Sequence, residues 1–286
     1  MNRITVIIPT YNRADLLGKA LESVLSQSLS AAEIIVVDDG STDDTAQVLE
    51  RIADSSRVPV IYLKENNRGP AAARNSGIIK ARHQFIAFLD SDDLWHKKKL
   101  EIQSGALHES PDHLISHTRE KWYRGGQHLN QKKRHMPRHG YIFEHCLLLC
   151  CVGMSTVMVR KTVFERYGLF NEALRCCEDY EMWLRVARNQ DFLLVDEVLT
   201  TKHGGRDDQV SQQFKVGMDR FRIQALARMF SNTELTSQQR RAVGQVLLEK
   251  CLIYGRGCRK HGNEVEGDHY LELASYTNEQ IVKEDY

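Results

Sequence analysis

No apolar run in this 286-residue chain approaches the roughly 20 residues that a membrane-spanning helix needs; the longest internal one stops at Cys146 to Met154. The opening "MNRITVIIPTYN" is too short and wrongly flanked for a secretory signal, so it reads as a first strand and the expected location is cytoplasmic. An excess of either charge is also missing. Lys+Arg and Asp+Glu nearly cancel, leaving a formal +1, which removes any global case for a nucleic-acid partner. Among the seven cysteines (Cys146, Cys150, Cys151, Cys176, Cys177, Cys251, Cys258) no CxxC spacing occurs. An odd number without an export signal predicts reduced thiols, and the adjacent pairs read as small buried hydrophobes rather than metal thiolates.

With 42% hydrophobic and 27% charged residues the composition is that of a globular protein. "ITVIIP" (4–9), "EIIVVD" (33–38), "VPVIYL" (58–63) and "FIAFLD" (85–90) are short, β-branched and almost continuously apolar, as strands buried on both faces should be. Between them lie helical stripes, Leu16/Leu17/Ala20/Leu21/Val24 and Val48/Leu49/Ile52, the second after the capping signal "GSTDD". Strand–helix–strand units predict an α/β fold with a mostly parallel sheet flanked by helices, because parallel neighbours need crossovers. Ligands then bind beyond the carboxyl ends of the strands, where "PTYNR", "DDGSTDD", "ENNRGPAAARN" and "DSDD" fall.

Further along, 119–139 is polar, basic and glycine-interrupted and reads as a loop. "STVMVR" (155–160) reads as a strand, "KTVFERYG" as a short helix closed by Gly168, and 177–189 as an amphipathic helix with Tyr180, Trp183, Leu184 and Ala187 on one side. After 214 the pattern is helical and free of proline. The expected division is 1–214, with a first half to about 105 and a second from about 106, and a C-terminal helical region 215–286.

Asp90 and Asp92, spaced i, i+2 after a buried strand, point two carboxylates the same way and suit one hard cation, Mg2+ or Mn2+. The alternative is that Asp92 or Asp93 caps a following helix "LWHKKKLE". Asp38 and Asp39 end another buried strand before a glycine turn, where a carboxylate can accept from a base N–H or a ribose hydroxyl. Ser41, Thr42, Asp43 and Asp44 read as capping residues. Tyr11 offers a ring to cover a base or to pack on a neighbouring loop. Gly69 permits close backbone approach. Arg74 and Asn75 follow among small alanines, with Arg74 facing substrate or bridging to Asp38, Asp39 or Asp90.

Taken together, "PTYNR", "VVDDGSTD", "ARN" and "FLDSDD" in this order resemble the family 2 glycosyltransferases of GT-A fold, over roughly residues 3 to 210. The resemblance implies an inverting transferase using a nucleotide-diphosphate sugar, with UDP favoured. Pro9 and Tyr11 would sit on the nucleotide, Asp39 and Asp38 would contact its base, and Asp90, Ser91 and Asp92 would form the DXD metal motif, Asp92 being the chief ligand. It also implies an ED motif, supplied by Glu178 and Asp179, with Asp179 as general base; a helix N-terminus favours a charged carboxylate. The segment "KHGGRDDQVSQQ" would close over the diphosphate, His203 completing the metal shell and Arg206 clamping phosphate, or it is a solvated hinge. The turn before the fourth strand, "ARHQFIAF", lacks the glycine usual in the family. The expected acceptor is a glycan or lipid-linked glycan in cell-surface polysaccharide synthesis. The basic residues Lys132, Lys133, Arg134 and Arg138 face an anionic acceptor or plain solvent, and 216–230 packs on the catalytic domain or rests peripherally on the inner face of a membrane. The competing reading is a nucleotide-diphosphate-binding module without turnover.

Overall fold

The strands are β1 (Ile4–Thr10), β2 (Glu33–Asp38), β3 (Val60–Lys64), β4 (Phe85–Phe88), β5 (Leu94–Trp95), β6 (Ile115–Arg124), β7 (Gln127–Leu129), β8 (Met158–Arg160) and β9 (Leu193–Gly204). The helices are α1 (Ala14–Leu25), α2 (Thr45–Ser55), α3 (Pro70–Lys80), α4 (Lys99–Glu109), α5 (Phe143–Leu148), α6 (Thr162–Tyr167), α7 (Glu178–Ala187), α8 (Val210–Gln213), α9 (Met218–Phe230), α10 (Ser237–Lys260) and α11 (Glu264–Lys283). These come from a computed structural model, which describes residues 3–283; the outer ends of the expected 1–214 and 215–286 divisions lie outside the described residues.

All nine strands join one sheet in the order β3-β2-β1-β4-β8-β6-β9-β5, with β7 paired to β6. The first four are parallel, as the crossover helices require. Beyond β4 the pairing is mixed: β8 is antiparallel to β4 and β6, and β9 is parallel to β6. The chain moves outward from β1 through β2 to β3 and then returns to β1's other side as β4. That reversal opens a crevice beyond the carboxyl ends of β1 and β4.

Both faces of β1, β2 and β4 are covered, which explains their uninterrupted apolar character; the edge strand β3, expected to be buried likewise, leaves Tyr62 and Lys64 exposed. Ile4, Val6 and Ile8 point to one core with Leu17 and Leu21 of α1 and Leu100 of α4. Ile7, Ile35 and Phe88 point to the other, where Trp183 of α7, Leu226 of α9 and Leu247 of α10 also lie. The apolar residues of α9 are therefore packed into the protein, the first of the two readings for 216–230. No helix among the described residues is long and apolar enough to cross a membrane.

Helix α3 lies so close to β1 that a Cβ at Gly77 would stand 2.6 Å from Ile7 Cγ2. Ile7 is β-branched and fully buried, so it has nowhere to turn. Gly77→Ala should therefore lower stability by about 1–3 kcal/mol, the cost of overpacking, despite alanine's better helix propensity. Urea denaturation checks this; a midpoint equal to or above wild type would show that the helix can shift freely.

Four further expectations are corrected. Residues 119–129 are not loop: β6 and β7 form a hairpin whose two-residue turn, Gly125-Gly126, has φ 55° and 79°, as a primed turn demands. The run after Asp93 is not yet helix; Leu94–Trp95 pairs with β9, and α4 starts only at Lys99. In 155–160 only Met158–Arg160 is strand, after a 3-10 turn at Met154–Thr156. Helix α7 is buried on more than one side, since Met182, Val186, Glu178 and Glu181 are covered as well as its apolar stripe.

Candidate active site

The crevice is a cleft of about 600 Å3 whose walls include Pro9, Tyr11, Asp39, Gly69, Arg74, Asp90, Ser91, Asp92, Glu178, Asp179 and His203. These come from the ends of β1, β2 and β4, the starts of α3 and α7, and the end of β9, so the topology gathers positions almost 200 residues apart. Tyr11 is 45% exposed at the rim, with a ring face free to cover a planar ligand. Asp38, Asn75 and Arg206 do not line the cleft.

The two adjacent aspartates at the end of β2 divide their work. Asp38 accepts from Ser41 N and Tyr62 OH, each at 2.7 Å, and holds the glycine turn. Asp39 lines the cleft and accepts from Arg68 N and Gly69 N, each at 2.8 Å. Gly69 has φ 95°, and that left-handed geometry lets successive amides reach one carboxylate. Burial pushes the Asp39 carboxyl up, more than these two amides pull it down.

Asn75 is a clamp between chain segments: its Nδ2 donates to Phe170 O and Glu172 Oε1, and its Oδ1 accepts from Phe170 N. Arg74 bridges carboxylates, but not Asp38 or Asp39. It donates to Asp90 Oδ1 at 2.7 Å and to Glu178 Oε1 at 2.5 Å, tying the tip of β4 to the start of α7. For Asp90, burial pushes the carboxyl up, but the charges of Arg74 and Lys202 and the bond from Arg74 outweigh it and hold it low.

Ser155 organises the rest of the acidic tip. Its hydroxyl accepts from Asp90 N at 3.0 Å and donates to Asp93 at 2.6 Å. Its carbonyl accepts from Trp95 Nε1 and Thr200 Oγ1. Neither Asp92 nor Asp93 caps α4. Asp92 faces the cleft and is held by Arg13 at 3.3 Å, Arg206 at 2.9 Å and Gln209 at 3.0 Å. Arg206 thus grips the acidic tip itself rather than the cavity. Both of these arginines also pair with Asp208.

Lys202, half-buried on β9, lines the same cleft. The carboxylate of Glu120, opposed by burial and joined by Asp93, Asp90 and Asp92, keeps its ammonium firmly charged. Asp90 and Asp92 are hard oxygen donors on one cleft, the chemistry that Mg2+ or Mn2+ selects. Among the described residues no three His, Cys, Asp or Glu side chains converge as a ligand set, and the ring of His203 is stacked on Tyr123 at 5.9 Å. The donor chemistry of Asp90 and Asp92 would suit such an ion, the two carboxylates being the groups that would hold it.

Asp179 is the second residue of α7 and lines the same cleft as the acidic tip. Its Oδ1 accepts from Tyr180 N at 2.7 Å and its Oδ2 from the Cys150 thiol at 3.1 Å. Glu178 beside it is spent on Arg74. Sequence reasoning did not single out Arg13, Ser155, Cys150 or Lys202. Arg13 and Lys202 lay within the motifs "PTYNR" and "KHGG" and carried that signal; Ser155 and Cys150 carried none.

The model for "Glycosyl transferase family 2" matches residues 5–168. An uncharacterized glycosyltransferase of Rickettsia felis is 37% identical over 204 residues, 69% of this chain and 32% of the relative, so the chain spans about a third of that protein's length. The Escherichia coli UDP-Glc:alpha-D-GlcNAc-diphosphoundecaprenol beta-1,3-glucosyltransferase WfaP is 32% identical over 192 residues, covering 65% of this chain and 70% of WfaP. Among solved structures, Staphylococcus aureus TarS 1-349 in complex with UDP-GlcNAc superposes with a TM-score of 0.72 at 20% identity, over 95% of this chain and 79% of that one. At that identity the likeness is one of fold.

Proposed function

The chain belongs to glycosyl transferase family 2, and from that premise we propose that it transfers a sugar, with inversion, from a UDP-sugar to a hydroxyl of a lipid-linked glycan in cell-surface glycan synthesis. The observation that carries this is one cleft lined by a carboxylate held by two backbone amides (Asp39), a two-carboxylate tip (Asp90, Asp92) and a further, oriented carboxylate (Asp179). The donor class draws support from the activity of WfaP and the ligand of TarS, as does the acceptor class from WfaP. We also keep the division near residue 214 as a proposal, with the preceding segment as catalytic unit.

In this reading Tyr11 covers the base, while Asp39, held by two amides, accepts from a base N–H. Asp90 and Asp92 are the residues that would hold a divalent ion, Mg2+ or Mn2+, which would supply charge neutralisation to the departing diphosphate. Lys202, Arg13 and Arg206 stand at the same tip and add fixed positive charge where negative charge grows. Arg206 must leave Asp92, or share it, when the donor arrives; Gly204 and Gly205 beside it permit that movement. In the same cleft Asp179 takes the proton of the acceptor hydroxyl as its oxygen attacks C1 from the face opposite the diphosphate, and this single displacement inverts the anomeric centre. Contact with a lipid-linked acceptor is peripheral.

Melting temperatures with UDP, dTDP, GDP and CDP, each with and without Mn2+, test the donor assignment. UDP with Mn2+ should give the largest rise, and a saturating ligand at 100-fold its Kd adds about 2.7 kcal/mol. Asp92→Asn should lose the Mn2+-dependent part of the rise and keep the rest. Absence of a metal-dependent rise with every nucleotide would remove the two-carboxylate site from the proposal.

A further inference from the structure

We propose that Cys150 is a positioning residue for the reaction: its thiol hydrogen bond to Asp179 Oδ2 aims the carboxylate that takes the acceptor's proton. The inference rests on the reading of Asp179 given above. Cys150 lies just past α5, lines the cleft, and reaches Asp179 at 3.1 Å. Among the described residues it is the one side chain hydrogen-bonded to that carboxylate, since the other partner, Tyr180 N, belongs to the next residue of α7.

The geometry is built rather than incidental. Two side chains of α7 grip the backbone on either side of Cys150: Tyr180 OH donates to Leu147 O at 2.8 Å and Trp183 Nε1 donates to Val152 O at 3.1 Å. Both side chains are buried. The helix carrying the base thus fixes the segment carrying its partner, so the thiol-to-carboxylate distance cannot drift unless α7 drifts with it. The neighbouring Cys151 is turned elsewhere, with its sulfur 3.4 Å from that of Cys146.

The choice of thiol is chemically sensible. Burial pushes the Cys150 thiol up, and the charge of Asp179 and the bond to it push further, so it stays S–H and remains a donor. A thiol is a weak donor. It can hold a carboxylate's rotamer while withdrawing little of the basicity that proton abstraction needs, whereas a guanidinium would withdraw much of it. The nearby Arg74 is committed to Asp90 and Glu178 instead.

The test measures kcat and donor KM for Cys150→Ala, Cys150→Ser and Cys151→Ala, alone and in an Asp179→Asn background. Loss of a hydrogen bond to a charged group should lower kcat of Cys150→Ala about ten-fold with donor KM unchanged. Cys150→Ser, which keeps an O–H donor, should recover most of it, and Cys151→Ala should match wild type. In the Asp179→Asn background Cys150→Ala should cost nothing more, because the group it aims is gone. If alanine fails to fold, Cys150→Val fills the space without a donor and takes its place. Wild-type kcat in the donor-less variant, equal losses in Ser and Ala, or a loss that persists beside Asp179→Asn would each overturn the positioning role. Full activity of Asp179→Asn alone would instead sink the base assignment on which it rests.

Discussion

Replacing Asp179 with asparagine should lower kcat by about a thousand-fold, in the middle of the range for removing a general base, and leave donor affinity nearly unchanged. The amide is isosteric, so its oxygen can still accept from Tyr180 N, and the fold of α7's first turn has no reason to change. What it lacks is a lone pair basic enough to take a proton. In the proposed reading the donor is bound by other residues, Asp39, Tyr11 and the acidic tip, all on strands β1, β2 and β4 or just beyond them. Binding and chemistry therefore separate: calorimetric Kd for UDP-sugar should hold while turnover collapses. The same experiment divides the enzyme from a binding module built on this fold. A module would show donor binding in wild type with no turnover for Asp179→Asn to remove, and a variant with undiminished kcat would show that another group carries the proton.

How far the sequence disclosed this site depends on which force placed each residue. The parallel strands were legible because burial on both faces leaves an unbroken apolar signature, as in Ile4, Val6, Ile7 and Ile8. The site's carboxylates were legible because charge at the end of such a strand is costly unless it has a task. Which of Asp38 and Asp39 lines the cleft was not, since the turn at Gly40 decides it and both residues are acidic and buried. β9 escaped notice because its apolar run is interrupted by the exposed Asp196 and Glu197, although pairing with β6 fixes it as strand. Of Arg74's two partners, Asp90 was among the carboxylates the sequence offered, but Glu178 lies 104 residues away, and no local pattern encodes so distant a pairing. Lys202 and Cys150 are similar cases: an ordinary residue acquires its role from what the fold sets opposite it.

Arg74→Met should cost about 3–5 kcal/mol, the range for removing one partner of a buried charge network. Methionine fills most of the volume of the arginine stem, so the loss is electrostatic rather than a cavity. Arg74 is 5% exposed and neutralises two carboxylates at once, Asp90 and Glu178; without it both are left in a poorly solvated cleft wall. The pH dependence has a definite sign. In wild type, burial and the charge of Asp179 raise the Glu178 carboxyl above its ordinary 4.5 even against Arg74, so its ionisation subtracts stability as pH rises through that window. Asp90 is held below its ordinary 3.8 by Arg74 and Lys202 against burial, so it adds stability that is lost only as pH falls through its lowered value. Removing Arg74 raises both folded-state carboxyls, and the folded variant then binds more protons than folded wild type. Its deficit must therefore be largest near neutrality and shrink as the carboxyls protonate, because stability follows the proton difference between unfolded and folded states. Melting temperatures of the two proteins at about pH 7.5 and about pH 5 read this directly. A gap that stays constant across that interval would mean that Arg74 acts by packing over Phe170, whose ring centre lies 5.9 Å from its guanidinium, rather than by charge.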